Sequence, residues 1–147
     1  MQYSIRALTT SDFDELLRLF QEFAHFEKRP DQMKNTVANM AAEAPFLLGF
    51  VVEDNNQVLV GYVTYFYTYH TWSGKGMYMD DLYVQEQHRG QGLGKMLLEK
   101  VIELAEAESC HNLRWLVSNW NTKAMDFYES IGADITNNEL QCELTFQ

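Results

Sequence analysis

Apolar residues change spacing several times along the chain, and each change marks an element. Residues 2–8 alternate, with Tyr3 and Ile5 on one face, and predict a strand. Thr10, Ser11 and Asp12 form a capping cluster, and Asp12 with Glu15 three residues on suits a capping box. Phe13, Leu16, Leu17, Phe20, Phe23 and Ala24 then recur at helical spacing until Pro30 limits the helix. Met33, Val37, Met40 and Ala41 predict a second, shorter helix closed by Pro45. The two helices can roof a cleft, and core packing also accounts for their stripes. Residues 46–52 and 58–69 are strand-like runs joined by a polar turn at 54–57. Ser73 and Gly74 turn the chain into a third strand that ends at Val84.

After Val84 the spacing switches. A short polar turn leads to Gly90, Gly92 and Gly94, and then Leu93, Met96, Leu97, Val101, Leu104 and Ala105 mark a helix ending near Glu108. Residues 113–117 predict a strand that pairs parallel through this helical crossover. Ala124, Phe127, Tyr128 and Ile131 share one face of a short helix stopped by Gly132. Leu140, Cys142, Leu144 and Phe146 alternate as a last strand. The fold class is mixed α/β, an antiparallel meander first and parallel strands in the middle, flanked by helices. With no repeat or linker, residues 1–147 are expected to form a single domain.

The strand, glycine turn and helix point to a ligand. Glycines at a helix N-terminus let backbone N–H groups approach an anion that the helix dipole favours, and Arg89 adds a positive charge beside them. A phosphate or pyrophosphate is expected there. It is not a dinucleotide fingerprint, because Lys95 stands three residues after Gly92. Nor is it a P-loop, since Arg89 and Met96 occupy the positions that need Gly and Ser or Thr. The remaining pattern, Arg89-x-x-Gly92-x-Gly94, resembles the acyl-CoA pyrophosphate loop of the GNAT acetyltransferase superfamily.

Composition narrows the class. The formal net charge of −10 argues against nucleic-acid binding; it would suit a cationic substrate, but taken alone it reads first as solubility. No stretch approaches the ~20 apolar residues of a membrane span, and Met1 to Arg6 lack a signal-like apolar region. Cys110 and Cys142 are expected to be free thiols of a cytoplasmic protein. Neither they nor His25, His70, His88 and His111 stand at metal-ligand spacing, so no metal is expected.

The likeness extends past the loop. WLVSNWN at 115–121 and DFYESIGA at 126–133 resemble the late motif of GNAT enzymes. Residues 5–6, LRLFQEFAHFE at 17–27, TYHTW at 68–72, GK at 74–75 and YMDDLYV at 78–84 are similar to the spermidine/spermine N-acetyltransferase family. The resemblance implies an acetyl-CoA-dependent homodimer that acetylates the primary amine of a small cation, a diamine or polyamine, by direct transfer in a ternary complex. It places the pyrophosphate on Arg89, Gly90, Gln91, Gly92, Leu93, Gly94 and Lys95, gives Asn121 to CoA, and makes Tyr128 the general acid. Asp80 stands at the family's Glu, and Glu27 matches a polyamine-contacting Glu. Two departures bear on the substrate. His70 replaces an Asp, and Lys28 and Arg29 follow Glu27 where the family tends to be acidic. A lysine-like amino acid is the alternative substrate, and an acyl-CoA-binding module without catalysis is the alternative function.

The chemistry sets further expectations. An alkylamine has a pKa of about 10 and must lose a proton before attack. Asp80 alternates with Leu82 and Val84 on what period two makes the buried face, and Asp81 is the rival on the opposite face. Asp80 can take the proton through one or two waters, and a buried Asp satisfied by backbone or by Tyr is the alternative reading. Backbone N–H groups near Leu82 and Val84 can hold the thioester carbonyl. Tyr62, Tyr65, Phe66, Tyr67, Tyr69 and Trp72 suit sheet packing, or a wall for the amine, where His70 and Trp72 would sit with Glu27, Asp80 and Asp81.

Overall fold

A computed structural model describes residues 2–146 of the chain. They form two compact units, one running to Trp115 and the other from Leu116 onward. The first carries a mixed sheet of five strands in the order β1 (Tyr3–Ala7), β2 (Leu48–Asp54), β3 (Leu59–His70), β4 (Gly74–Val84) and β5 (Leu113–Arg114). Strands β1 to β4 are antiparallel neighbours, and β5 joins β4 in parallel through Met77 with Leu113 and Tyr78 with Arg114. Three helices accompany the sheet: α1 (Phe13–Phe26), α2 (Val37–Ala42) and α3 (Leu93–Ala107).

Of the stripe read in residues 13–24, Phe13 and Leu16 are buried and Leu17, Phe20 and Phe23 partly so, while Leu19, which that stripe leaves out, is buried as well. Phe13, Leu16 and Leu19 join Met40 of α2 against Val51, Leu59, Tyr62 and Tyr83 of the sheet. Helix α3 packs on β2, β3 and β4, with Leu97, Leu98 and Val101 fully buried. Every residue of β3 from Leu59 to Thr64 is buried, as expected of a strand within a covered sheet. Beyond Thr64 the β3–β4 hairpin emerges, and Tyr69 and Trp72 are exposed.

The capping box lies one turn earlier than the sequence pattern places it. Thr9 N–H donates to Asp12 Oδ2 at 2.8 Å, and α1 begins only after a single 3-10 turn. Asp12 also receives two 2.8 Å hydrogen bonds from Arg6, so one buried carboxylate ties β1 to the start of α1. Glu15 accepts instead from Leu59 N–H at 3.1 Å and fixes α1 to β3.

The second unit contains α4 (Thr122–Ser130). Asn121 caps it by accepting from Ala124 N–H, and Gly132 ends it with φ +93°. The last strand expected from Leu140, Cys142, Leu144 and Phe146 is not formed. Leu140, Leu144 and Phe146 are 82–91% exposed. Alternation marks a segment able to be a strand, but a strand exists only where a neighbour completes its ladder. Likewise β5 keeps two of the five residues expected of it.

Candidate active site

A cleft of about 380 Å³ opens between the end of α1 and strands β3 and β4. Phe20 and Phe23 of α1 and Tyr65 and Phe66 of β3 form apolar walls, while Glu27, Asp80 and Asp81 supply three carboxylates. Arg29 lines the same cleft.

Both aspartates reach the cleft because the sheet is irregular there. Val63 pairs with Leu82 and Tyr65 with Met79, so Thr64 alone faces Asp80 and Asp81. Two residues opposing one is a β-bulge, which breaks the period-two alternation. The expectation that Asp80 and Asp81 point to opposite faces, with Asp80 buried, is therefore corrected. Asp80 is the exposed member and Asp81 the more enclosed.

Asp81 is also the better held. Its N–H donates to Thr64 Oγ1 at 3.2 Å, and its Oδ2 accepts from Tyr62 Oη at 2.9 Å. Burial first, then the charges of Asp80 and Glu27, push its carboxyl up to about 7 against the opposing hydrogen bond from Tyr62. Burial also raises Asp80, although that residue is more open to solvent. Tyr62, wholly buried, is raised well above its ordinary value by burial and by Asp81, so it remains a donor. Tyr62 was legible in sequence only as sheet packing or a wall for the amine, not as a partner of Asp81, and Thr64 only as one more member of a strand.

The glycine turn lies where β4 gives way to α3. Gly90 and Gly92 have φ of +80° and +79°, a left-handed backbone that side chains strain to adopt. Gly94 differs. Its φ is not positive, and a Cβ there would meet no protein atom within 4 Å. A glycine inside a helix costs about 1 kcal/mol relative to alanine, and no neighbour in the chain requires it. An open backbone at the N-terminus of a fifteen-residue helix fits a bound phosphate group.

The turn is braced from three sides. His88 Nδ1 and Gln91 Nε2 both lie within hydrogen-bond reach of Tyr3 Oη, at 2.9 and 3.0 Å. Arg89 Nε donates to the Val84 carbonyl at 2.8 Å, and its guanidinium lies over the rings of Phe26 and Tyr83. Arg89 is thus an anchor of the turn as well as a charge beside it. Beyond Tyr78 no strand pairs the second edge of β4 among the described residues. Val84 turns its peptide groups to that edge, and Leu82 shares it by period two. Lys95 is exposed at the first turn of α3, 3.9 Å from Glu99.

The other expected site residues are spread out. Glu27 lines the cleft. His70 and Trp72 lie at the tip of the β3–β4 hairpin and do not line it, and Trp72 is fully exposed. His70 Nε2 meets Thr68 Oγ1 at 3.1 Å. Asn121 and Tyr128 belong to the second unit, the former as the cap of α4 and the latter as its buried residue.

Residues 11–133 match the acetyltransferase (GNAT) family model. This chain belongs to the GNAT acetyltransferase family. It is 37% identical to a thialysine N-epsilon-acetyltransferase of Bos taurus, over 92% of this chain and 86% of that protein. It is 31% identical to a human spermidine/spermine N(1)-acetyltransferase-like protein 1, over 93% of this chain but 21% of that one. Among solved structures, an acetyltransferase of Trypanosoma brucei superposes with a TM-score of 0.77 at 22% identity, covering 97% of this chain and all of that one. An integron cassette protein of V. cholerae reaches 0.80 at 21% identity, over 99% and 94% of the two chains. These two likenesses bear on the fold. The GNAT chain is an N-acetyltransferase, and enzymes of this family use acetyl-CoA as co-substrate. Among the described residues no group of three or more His, Cys, Asp or Glu could hold a metal ion, and no helix is long and apolar enough to cross a membrane.

Proposed function

We propose that this enzyme acetylates the side-chain amine of a small, lysine-like amino acid. The observation that carries this is the set of charged residues lining the cleft: Glu27, Asp80 and Asp81 share it with Arg29. The carboxylates suit an ammonium group, and Arg29 suits a carboxylate at the other end of the same substrate. The 37% identical relative named for thialysine supports the choice. A diamine or polyamine is the second reading, favoured by the carboxylates and disfavoured by Arg29.

Acetyl-CoA supplies an activated acetyl group. The turn from Arg89 to Gly94, with Gly90, Gln91, Gly92 and Leu93 between them, and Lys95 and Asn121 bind it in this proposal. Backbone N–H groups of Leu82 and Val84, on the open edge of β4, orient its carbonyl. Phe20, Phe23 and Tyr65 exclude water from the amine, Glu27 pairs with its charge, and an aspartate of the bulge takes its proton. Tyr128 holds a proton at Oη for the leaving thiolate, whose acidity it matches. No cysteine lines the cleft, which suits direct transfer. The enzyme would act as a homodimer: His70 and Trp72, remote from their own cleft, are then available to a second copy. Sedimentation velocity giving a monomer at micromolar concentration would remove that part.

The test is thiol release from acetyl-CoA with thialysine, lysine, ornithine, putrescine, spermidine and an aminosugar as acceptors. A kcat/KM at least tenfold higher for the amino acids than for the polyamines is expected, with Arg29→Ala erasing the difference. The reverse order would establish the second reading.

A further inference from the structure

We propose that Tyr62 is a positioning residue for the acetyl transfer, holding Asp81 as the group that receives the amine proton while Asp80 stays ionised at the cleft mouth. This rests on the reading of the cleft as the amine site.

The geometry separates the two aspartates. Asp81 is clamped twice by β3, through its N–H to Thr64 Oγ1 and through Oδ2 to Tyr62 Oη. Asp80, one residue away, makes no side-chain hydrogen bond among the described residues and is exposed. Tyr62 is itself immobilised. It is fully buried, its ring meets Phe20 edge-on with centroids 4.9 Å apart, and it packs on Tyr83 at 6.2 Å. A wholly buried hydroxyl needs a partner. Here the partner is a carboxylate aimed into the substrate cleft.

The Tyr62 bond occupies Oδ2 and leaves Oδ1 to accept. In the step proposed, an N–H bond of the substrate ammonium breaks, its electron pair stays on nitrogen, and the proton forms an O–H bond at Asp81 Oδ1. Tyr62 keeps its own proton throughout. The proton on Asp81 returns to water between turnovers. The charged and titratable groups facing Asp81 are Asp80 and Tyr78 on its own strand, Tyr62 and Tyr65 on β3, Glu27 at the end of α1, and Arg29 on the cleft wall. The carboxylates oppose ionisation of Asp81, and Tyr62 favours it. Two acids with environments pushed apart can divide acid–base work between them.

The experiment uses the full chain labelled with ¹³C at aspartate carboxyls, with the Asp81 signal assigned by its loss in Asp81→Asn. Titration of wild type and Tyr62→Phe reports Asp81 directly and needs no substrate. The phenylalanine keeps the ring and its packing. Removing a donor to the charged form should raise the Asp81 midpoint by roughly one pH unit. The acid limb of kcat/KM with thialysine should move by the same amount, with the high-pH plateau within about threefold. If Tyr62→Phe fails to fold, 3-fluorotyrosine at position 62 gives a stronger donor and should move both midpoints the opposite way. An Asp81 midpoint unchanged in the variant used overturns the proposal. So does a moved midpoint with an unmoved acid limb. Should Asp81→Asn keep both the rate and the acid limb, Asp81 is not the proton acceptor and the proposal is overturned; only if Asp80→Asn keeps them as well does the bulge lose that role and the broader reading fail.

Discussion

The guanidinium of Arg89 lies 4.8 Å from the centre of the Phe26 ring while its Nε donates to the Val84 carbonyl at 2.8 Å. One side chain of the glycine turn thus reaches the last residue of α1, the helix whose Phe20 and Phe23 line the cleft. Arg89→Ala should weaken acetyl-CoA binding by about 1.5–3 kcal/mol, the range for hydrogen bonds to charged groups. It should also lower Tm by a few degrees, because the turn loses its brace. Arg89→Lys keeps the charge without the planar fork and should recover less than half of the affinity. Calorimetry with CoA decides, and full recovery by lysine would reduce Arg89 to a point charge.

Gly94 separates stability from function. Its backbone is unstrained and its surroundings are open, so Gly94→Ala should raise unfolding free energy by up to about 1 kcal/mol. The same methyl group would stand where a phosphate approaches, and CoA affinity should drop about tenfold, or 1.4 kcal/mol. A variant that is both more stable and as tight would move the phosphate away from Gly94.

Arg6 and Asp12 make a pH-dependent clasp. The Arg6 hydrogen bonds hold the Asp12 carboxyl below its ordinary value against the opposing effect of burial. A depressed carboxyl stabilises the fold above the unfolded value of about 3.9, and that contribution is lost as pH falls through the folded value. Asp12→Asn should cost about 2 kcal/mol at pH 7, less than for a fully buried pair because the Arg6 side chain is 39% exposed. Urea unfolding at pH 7 and pH 3 checks this: the gap between wild type and variant should shrink at the lower pH.

Glu27→Gln removes one of the three cleft carboxylates. KM for a cationic amine should rise about tenfold with kcat within about threefold, the pattern of lost uniform binding. Equal changes for a neutral acceptor would take Glu27 out of the amine site.

Tyr128→Phe keeps the buried ring on α4 and removes only the hydroxyl. If Tyr128 protonates the thiolate, kcat should fall by roughly 10² to 10⁴, and acetyl-CoA affinity should change by less than about 1 kcal/mol. Near-normal kcat at every pH would make Tyr128 a packing residue.

Much of this protein was written locally. The stripe from Phe13 to Phe23 named the packed face of α1 except for Leu19, because 3.6-residue periodicity alone decides which side chains share a helix face. The glycine turn was legible for the same kind of reason: a left-handed backbone at Gly90 and Gly92 is a demand that each residue meets by itself. The hairpin from β3 to β4 followed from its alternation and its turn.

What alternation could not decide was where it stops. The bulge that turns Asp80 and Asp81 into one cleft is a relation between β4 and β3, set by Thr64 taking two partners. Neither strand shows it alone. The same holds for residues 140–146, whose apolar period is clear but whose strand needs a neighbour that no local pattern provides. Arg89 was visible as a charge, yet its seat on Phe26 required a helix more than sixty residues earlier to arrive beside it. Side-chain direction within an element is a local property of the backbone. Register, pairing and desolvation belong to pairs of elements, and the carboxyl of Asp81 acquires its proton affinity only when β3, β4 and α1 close around it.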